Sequence, residues 1–107
     1  MICVVIEKRA DGAYSSIKTK GHALFADAGK DVVCAAASVL IINTVNAVDE
    51  LTSCRIELLS EDKEKGIIEV SFPEGTDEKG TLLMDVLVQG LKGIAKDHSE
   101  NLDLRIS

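Results

Sequence analysis

"VVCAAASVLIINTVNAV", residues 32–48, is the stretch on which the fold turns. Its middle, "VLII", suits a buried strand as well as a helix, because a short apolar run carries no decisive period. Three features favour a helix from Asp31 to about Leu51: the length, the alanine triplet 35–37, and Asp31 placed as a cap. Ala, Val, Leu and Ile cover nearly all sides of its first four turns, so this reading expects a largely buried helix. Ser38, Asn43, Thr44 and Asn46 interrupt the run. It is short for a bilayer span and too polar, so the expectation is a core helix and no membrane segment.

The flanks read outward from that helix. "ICVVIEK" (2–8) is rich in β-branched residues and predicts a strand. The Asp-Gly pair of "ADGA" (10–13) supplies a hairpin turn, and "YSSIKTK" (14–20) is the returning strand. "GHALFADAGK" (21–30) reads as a loop with glycine near each end. Beyond the helix, "CRIELLS" (54–60) and "GIIEVSF" (66–72) predict a second hairpin across the charged turn "EDKEK", stopped by Pro73 and Gly75. Residues 76–98 predict a second helix, capped by Thr76 or Asp77, with Leu83, Val86, Leu87, Gly90, Leu91 and Ile94 as its buried stripe. "NLDLRIS" (101–107) alternates as a last strand. The order is ββαββαβ. Two hairpins and two helices that need one sheet face to cover predict an α+β two-layer sandwich, mainly antiparallel, with both helices on one face. Strand order is not legible.

The chain has 107 residues and 46% hydrophobic composition, which predicts one domain (1–107) with a core of Ile, Leu, Val and Ala, since Trp is absent. A net charge of −6 argues against direct nucleic-acid binding, which needs clustered Lys and Arg. It suits a basic protein partner instead. Three cysteines cannot all pair within one chain. Without a basic leader at "MICVVIEKRA", reduced thiols in a cytoplasm are the expectation.

Chemistry concentrates in "GHALFADAGKDVVCAAAS", residues 21–38. With Asp31 as cap, Cys34 falls at about the third helical residue, where unpaired N–H groups and the helix dipole favour a thiolate. Position alone leaves it open between a nucleophile and a small buried hydrophobe. His22 follows Gly21 at the end of a strand, twelve positions before the cysteine. A neutral imidazole near the thiol can take its proton and later protonate a leaving group; otherwise it is a solvated loop histidine. Asp31 caps the helix, orients His22, or does both. Ser38, one turn after Cys34, bonds back to a carbonyl or lines the site. Gly21 and Gly29 leave room for a substrate backbone. Leu24 and Phe25, on the loop, are core anchors or part of a lid over a peptide. Asp27 reads as a solvated acid, Cys3 and Cys54 as packing residues, and His98 as surface. No CxxC pair or His/His spacing supports a metal, and no phosphate loop or dinucleotide fingerprint is present, so neither metal nor cofactor is expected.

"GHA" followed by "G-K-D-V-V-C-A-A-A-S" resembles the ribosomal-processing cysteine protease family, called Prp. Gly21, His22, Ala23, Gly29, Asp31, Val33, Cys34, Ala35 and Ser38 stand where that pattern expects them, and the length and element order agree. The resemblance implies a small bacterial cysteine endopeptidase that removes an N-terminal extension from ribosomal protein L-twenty-seven. It makes Cys34 the nucleophile and His22 the base and acid, with Asp31 and Ser38 in support. It implies a homodimer and a flexible loop between His22 and Cys34. Acyl transfer through a thiolate would use N–H groups at the helix start as an oxyanion hole. The substrate extension would bind as an added strand on a sheet edge. Two other readings compete: a non-catalytic assembly factor gripping the same basic protein, and a thiol redox sensor. The sensor needs Cys3 or Cys54 within disulfide reach of Cys34.

Overall fold

The computed structural model describes residues 1–21, 28–62 and 65–107, with residues 28–31 as helical backbone. His22, Leu24, Phe25, Asp27 and the lid reading lie outside these residues, as does the centre of the "EDKEK" turn. β1 (Ile2–Lys8) and β2 (Tyr14–Lys20) occupy the ranges that their β-branched and alternating residues predict. Their hairpin turns through Gly12, whose φ of +91° is a conformation that L side chains rarely adopt.

α1 runs over Ala28–Leu51, so it begins three residues before the predicted start. Asp31 therefore stands in the first turn and is not the cap. An acid is favourable in either place, so the pattern around Asp31 does not separate them. β3 (Glu57–Asp62) is displaced toward the turn relative to the predicted 54–60, and β4 is Ile67–Ser71. Two hydrogen bonds, one of them from the distant entry of α2, account for the displacement. Cys54 is taken out of the strand by two bonds: its N–H donates to Thr52 Oγ1 (3.1 Å), and its Sγ accepts from the Asp77 N–H (3.2 Å).

α2 (Glu78–Asp97) is capped by Asp77, whose carboxylate accepts from the Gly80 N–H at 2.7 Å. That bond holds the Asp77 carboxyl below its usual range. Thr76 is engaged elsewhere, since its Oγ1 accepts from the Tyr14 N–H at 3.0 Å and ties the helix entry to β2. The buried stripe of α2 is Gly80, Met84, Leu87, Val88 and Leu91, rotated from the predicted one, and Val86 is exposed. β5 (Leu102–Ile106) completes the chain.

The sheet order is β3-β4-β2-β1-β5, antiparallel except for the parallel β1–β5 pair. β1, β4 and β5 thus run one way, and β2 and β3 the other. α1 joins β2 to β3 across β4, while α2 joins β4 to β5. One end of the sheet therefore gathers the exit of β2 at Gly21, the start of α1, the exit of β3 and the entries of β1 and β5. The opposite end holds the first hairpin turn, Cys54 and the cap of α2.

Ile2, Val4, Ile6, Ile17 and Leu102 from the sheet form one core cluster with Val33, Ala37, Ile41 and Val48 of α1 and Met84, Leu87 and Leu91 of α2. Alternate sheet residues, among them Cys3, Glu7, Lys18, Lys20 and Arg105, face outward and are exposed. Both helices thus cover one face, and the other is solvated by interleaved charges. Cys3 is exposed on that open face and is not a packing residue.

α1 departs from the buried cylinder predicted for it. Val32, Val39 and Ile42 are 67%, 64% and 48% exposed, because a two-layer fold supplies no third layer to cover the outer side. Over Val32–Leu51 the helix has a mean hydropathy of 1.8 across 20 residues, long and apolar enough to span a membrane by length and composition. The expectation that the run is too short and too polar to span is thus not met by length and composition. The feature that ties the helix to the sheet is the stripe Val33, Ala37, Ile41 and Val48 in the common core.

Candidate active site

Gly21 ends β2 with φ +88°, and a Cβ there would lie 2.7 Å from the Met1 carbonyl oxygen. Two constraints of independent origin, a left-handed backbone and a close backbone approach, thus require glycine at the residue before His22. The contact follows from register. Cys3 opposes Lys20, so the start of β1 lies directly beside the exit of β2. Nothing in the residue pattern announces the Met1 contact.

On α1, Cys34 packs against the core yet keeps partial exposure, between buried Val33 and exposed Ala35 and Ala36. It sits where the buried stripe meets the solvent face. Ser38 is also half-buried, one turn further on. The structure therefore places Cys34 and Ser38 on one border of one helix. Asp31 and Gly29 belong to the first turn of that helix, and Gly21 lies at the same end of the sheet.

The earlier helix start changes the place of Cys34 in the helix. Cys34 is in the second turn, and the unpaired N–H groups are those of the first. Dipole stabilisation fades within that first turn. Cys34 thus stands one turn further into the helix than the third position predicted for it.

The other cysteines do not approach. All three are free. Cys54 follows the far end of α1, and the helix alone separates it from Cys34 by roughly 25 Å at 1.5 Å per residue. Cys3 lies on the opposite face of the sheet. Neither is within disulfide reach, so the redox-sensor reading loses its resolving partner. His98 caps the exit of α2 and is exposed. Among the described residues, no group of three or more His, Cys, Asp or Glu converges to hold a metal. Among the same residues, cavities of about 810 and 360 Å³ lie toward the opposite end, around Thr76–Asp85 and around Tyr14 with Lys8 and Lys92.

A half-exposed, unpaired thiol stands on the crossover helix of a two-layer α+β sandwich, in a chain that carries a Gly-His pair before it. The family described as Cysteine protease Prp matches residues 1–103, and this chain belongs to that family. It is an enzyme of the peptide-hydrolysing class. It is 33% identical over 106 residues to the ribosomal processing cysteine protease Prp of Bacillus subtilis, covering 95% of this chain and 94% of that one. The crystal structure of the ribosomal processing protease Prp from Staphylococcus aureus with a substrate peptide matches with a TM-score of 0.90 at 27% identity. A second Staphylococcus aureus Prp structure, with a covalently linked product peptide, matches with a TM-score of 0.84 at 28% identity. Each match covers 100% of both chains.

Proposed function

We propose that this protein removes the N-terminal extension of a basic large-subunit ribosomal protein, L-twenty-seven, by acyl transfer through Cys34. The observation that carries the proposal is the half-exposed Cys34 on α1, in a chain whose family is proteolytic and whose curated relatives are named for ribosomal processing. The Cys34 thiolate attacks the peptide carbonyl carbon, and the C–N bond breaks as His22 protonates the leaving amine. Water, deprotonated by His22, then frees the acyl group. Asp31 and Ser38 support this pair. Gly21 and Gly29 admit the substrate backbone. First-turn N–H groups of α1 stabilise the oxyanion.

The chain acts as one unit of residues 1–107, without metal or cofactor, in the cytoplasm, on a protein and not on nucleic acid or membrane. It works as a homodimer. Support for self-association comes from the apolar outer side of α1, where Val32, Val39 and Ile42 give a second copy a surface to cover.

The decisive test is incubation with the full-length ribosomal protein of the same organism, followed by mass analysis. Wild type yields the shortened protein. Cys34→Ala yields none while keeping its fold, since alanine suits a helix. His22→Ala slows cleavage by about two to four orders of magnitude. Equal processing by Cys34→Ala refutes the nucleophile. Binding without cleavage by wild type returns the assembly-factor reading.

A further inference from the structure

The sheet ends in two unpaired strands, β3 and β5, and they are not equivalent. α1 carries Cys34 and crosses from β2 to β3, whereas α2 packs on β5. By connectivity, the helix that bears the thiol thus ends at the entry to β3, while the other helix ends at the entry to β5. β3 also leaves the sheet at Asp62, on the same end as Gly21 and the start of α1. A chain lying along β3 and continuing past that end runs toward the first turns of α1.

β3 has the composition of a docking edge. Leu58 and Leu59 are 59% and 55% exposed, side by side, and the register shift between Leu58 and Ser60 places Leu59 in a bulge. Glu57, Glu61 and Asp62 make half of its residues acidic, and Glu69 follows on β4 opposite Ser60. Arg55 answers Glu57 at 2.9 Å and Lys18 of β2 stands opposite Glu69, while the six residues of β3 itself hold three acids and no base. Two copies of β3 pairing with each other would oppose acid to acid, which disfavours that contact. A basic extended segment meets the reverse condition: its backbone completes the ladder, its apolar side chains cover the leucines, and its Lys or Arg face carboxylates.

We propose that the β3 edge is the exosite of this protease, holding an extended basic segment of the substrate as a sixth strand while the scissile bond reaches Cys34. The inference rests on the proposed function and selects one edge of the two. With strands about 4.8 Å apart and layers about 10 Å apart, the docked strand and the thiol are separated by a few extended residues. The bound segment is thus distal to the cleaved bond.

The experiment uses a synthetic peptide spanning the N-terminal segment and cleavage site of the ribosomal protein. Hydrogen exchange is followed on full-length Cys34→Ala with and without it. Expected is new amide protection across Leu58–Asp62 and no change on β5. In parallel, Leu58→Ser with Leu59→Ser in the active enzyme raises KM for the peptide roughly tenfold, while Ile106→Ser on β5 leaves it unchanged. Cleavage by wild type without new protection on β3, or with protection on β5 instead, overturns the edge assignment and leaves the activity intact. Protection of β3 in the free protein that grows with its concentration assigns the edge to a second copy and also overturns it. Failure of wild type to cleave removes the proposed function and, with it, this inference.

Discussion

Replacing Gly21 by alanine tests how the fold aims the residue before His22. At φ +88° an L side chain sits in the left-handed region, which costs about 1–2 kcal/mol. The added Cβ also meets the Met1 carbonyl oxygen at 2.7 Å, and that atom belongs to backbone, which cannot swing aside as a side-chain tip does. Either the start of β1 or the exit of β2 must move, at a further cost of about 1–2 kcal/mol. Gly12 separates the two contributions. Its φ is +91°, but a Cβ there meets nothing within 4 Å. Gly12→Ala therefore carries the backbone cost alone, about 1–2 kcal/mol, and Gly21→Ala both costs, about 2–4 kcal/mol. Urea unfolding at neutral pH reads these as two shifts in midpoint with unchanged slope. Cleavage by folded Gly21→Ala falls about 100-fold, because a displacement near 1 Å at a reacting group is worth that much, whereas Gly12→Ala keeps full activity. Equal destabilisation by the two variants, or wild-type cleavage by Gly21→Ala, would refute the reasoning.

Tyr14 is buried, and its hydroxyl donates to Asp85 Oδ1 at 2.6 Å. Burial first, and then the Asp85 carboxylate, raise the phenol above its ordinary value, so the folded state keeps a proton that the unfolded chain releases above pH ~10. Stability is full below that pH and declines as pH rises beyond it; Tyr14→Phe, about 1 kcal/mol less stable at neutral pH, lacks this alkaline loss in pH-dependent melts. Asp77 has the opposite sign: its carboxyl is held low by the Gly80 N–H, so its contribution is present above its unfolded pKa and disappears as pH falls through the folded one. Asp77→Asn, which can still cap, flattens the acid limb of the melting curve, and Asp77→Ala lowers the melting temperature at neutral pH by removing the cap. If α1 mediates the proposed self-association, Val39→Lys on its outer side gives a monomer in light scattering and a melting temperature that no longer rises with protein concentration; a wild type that is already monomeric would remove the self-association proposal.

Much of this molecule is legible along the chain. β-branched runs and alternation set β1 and β2, the Asp-Gly pair sets their turn, and the Asp77 cap opens α2, because each depends on neighbours a few residues away. The motif from Gly21 to Ser38 pointed to a thiol protease for the same reason: it is a local pattern. Where the reading failed, a distant partner decided. Cys54 left its predicted strand because the entry of α2 donates to its sulfur. The stripe of α2 rotated to Met84, Leu87, Val88 and Leu91 because its facing is set by α1 and the sheet, not by its own period alone. Strand order, the contact of Met1 with Gly21 and the exposure of Val32 and Val39 all arise from which layers exist and which are absent. Local spacing determines the elements and the chemistry they carry. Only long-range packing decides which faces meet, and therefore which surfaces this protease leaves open to a partner.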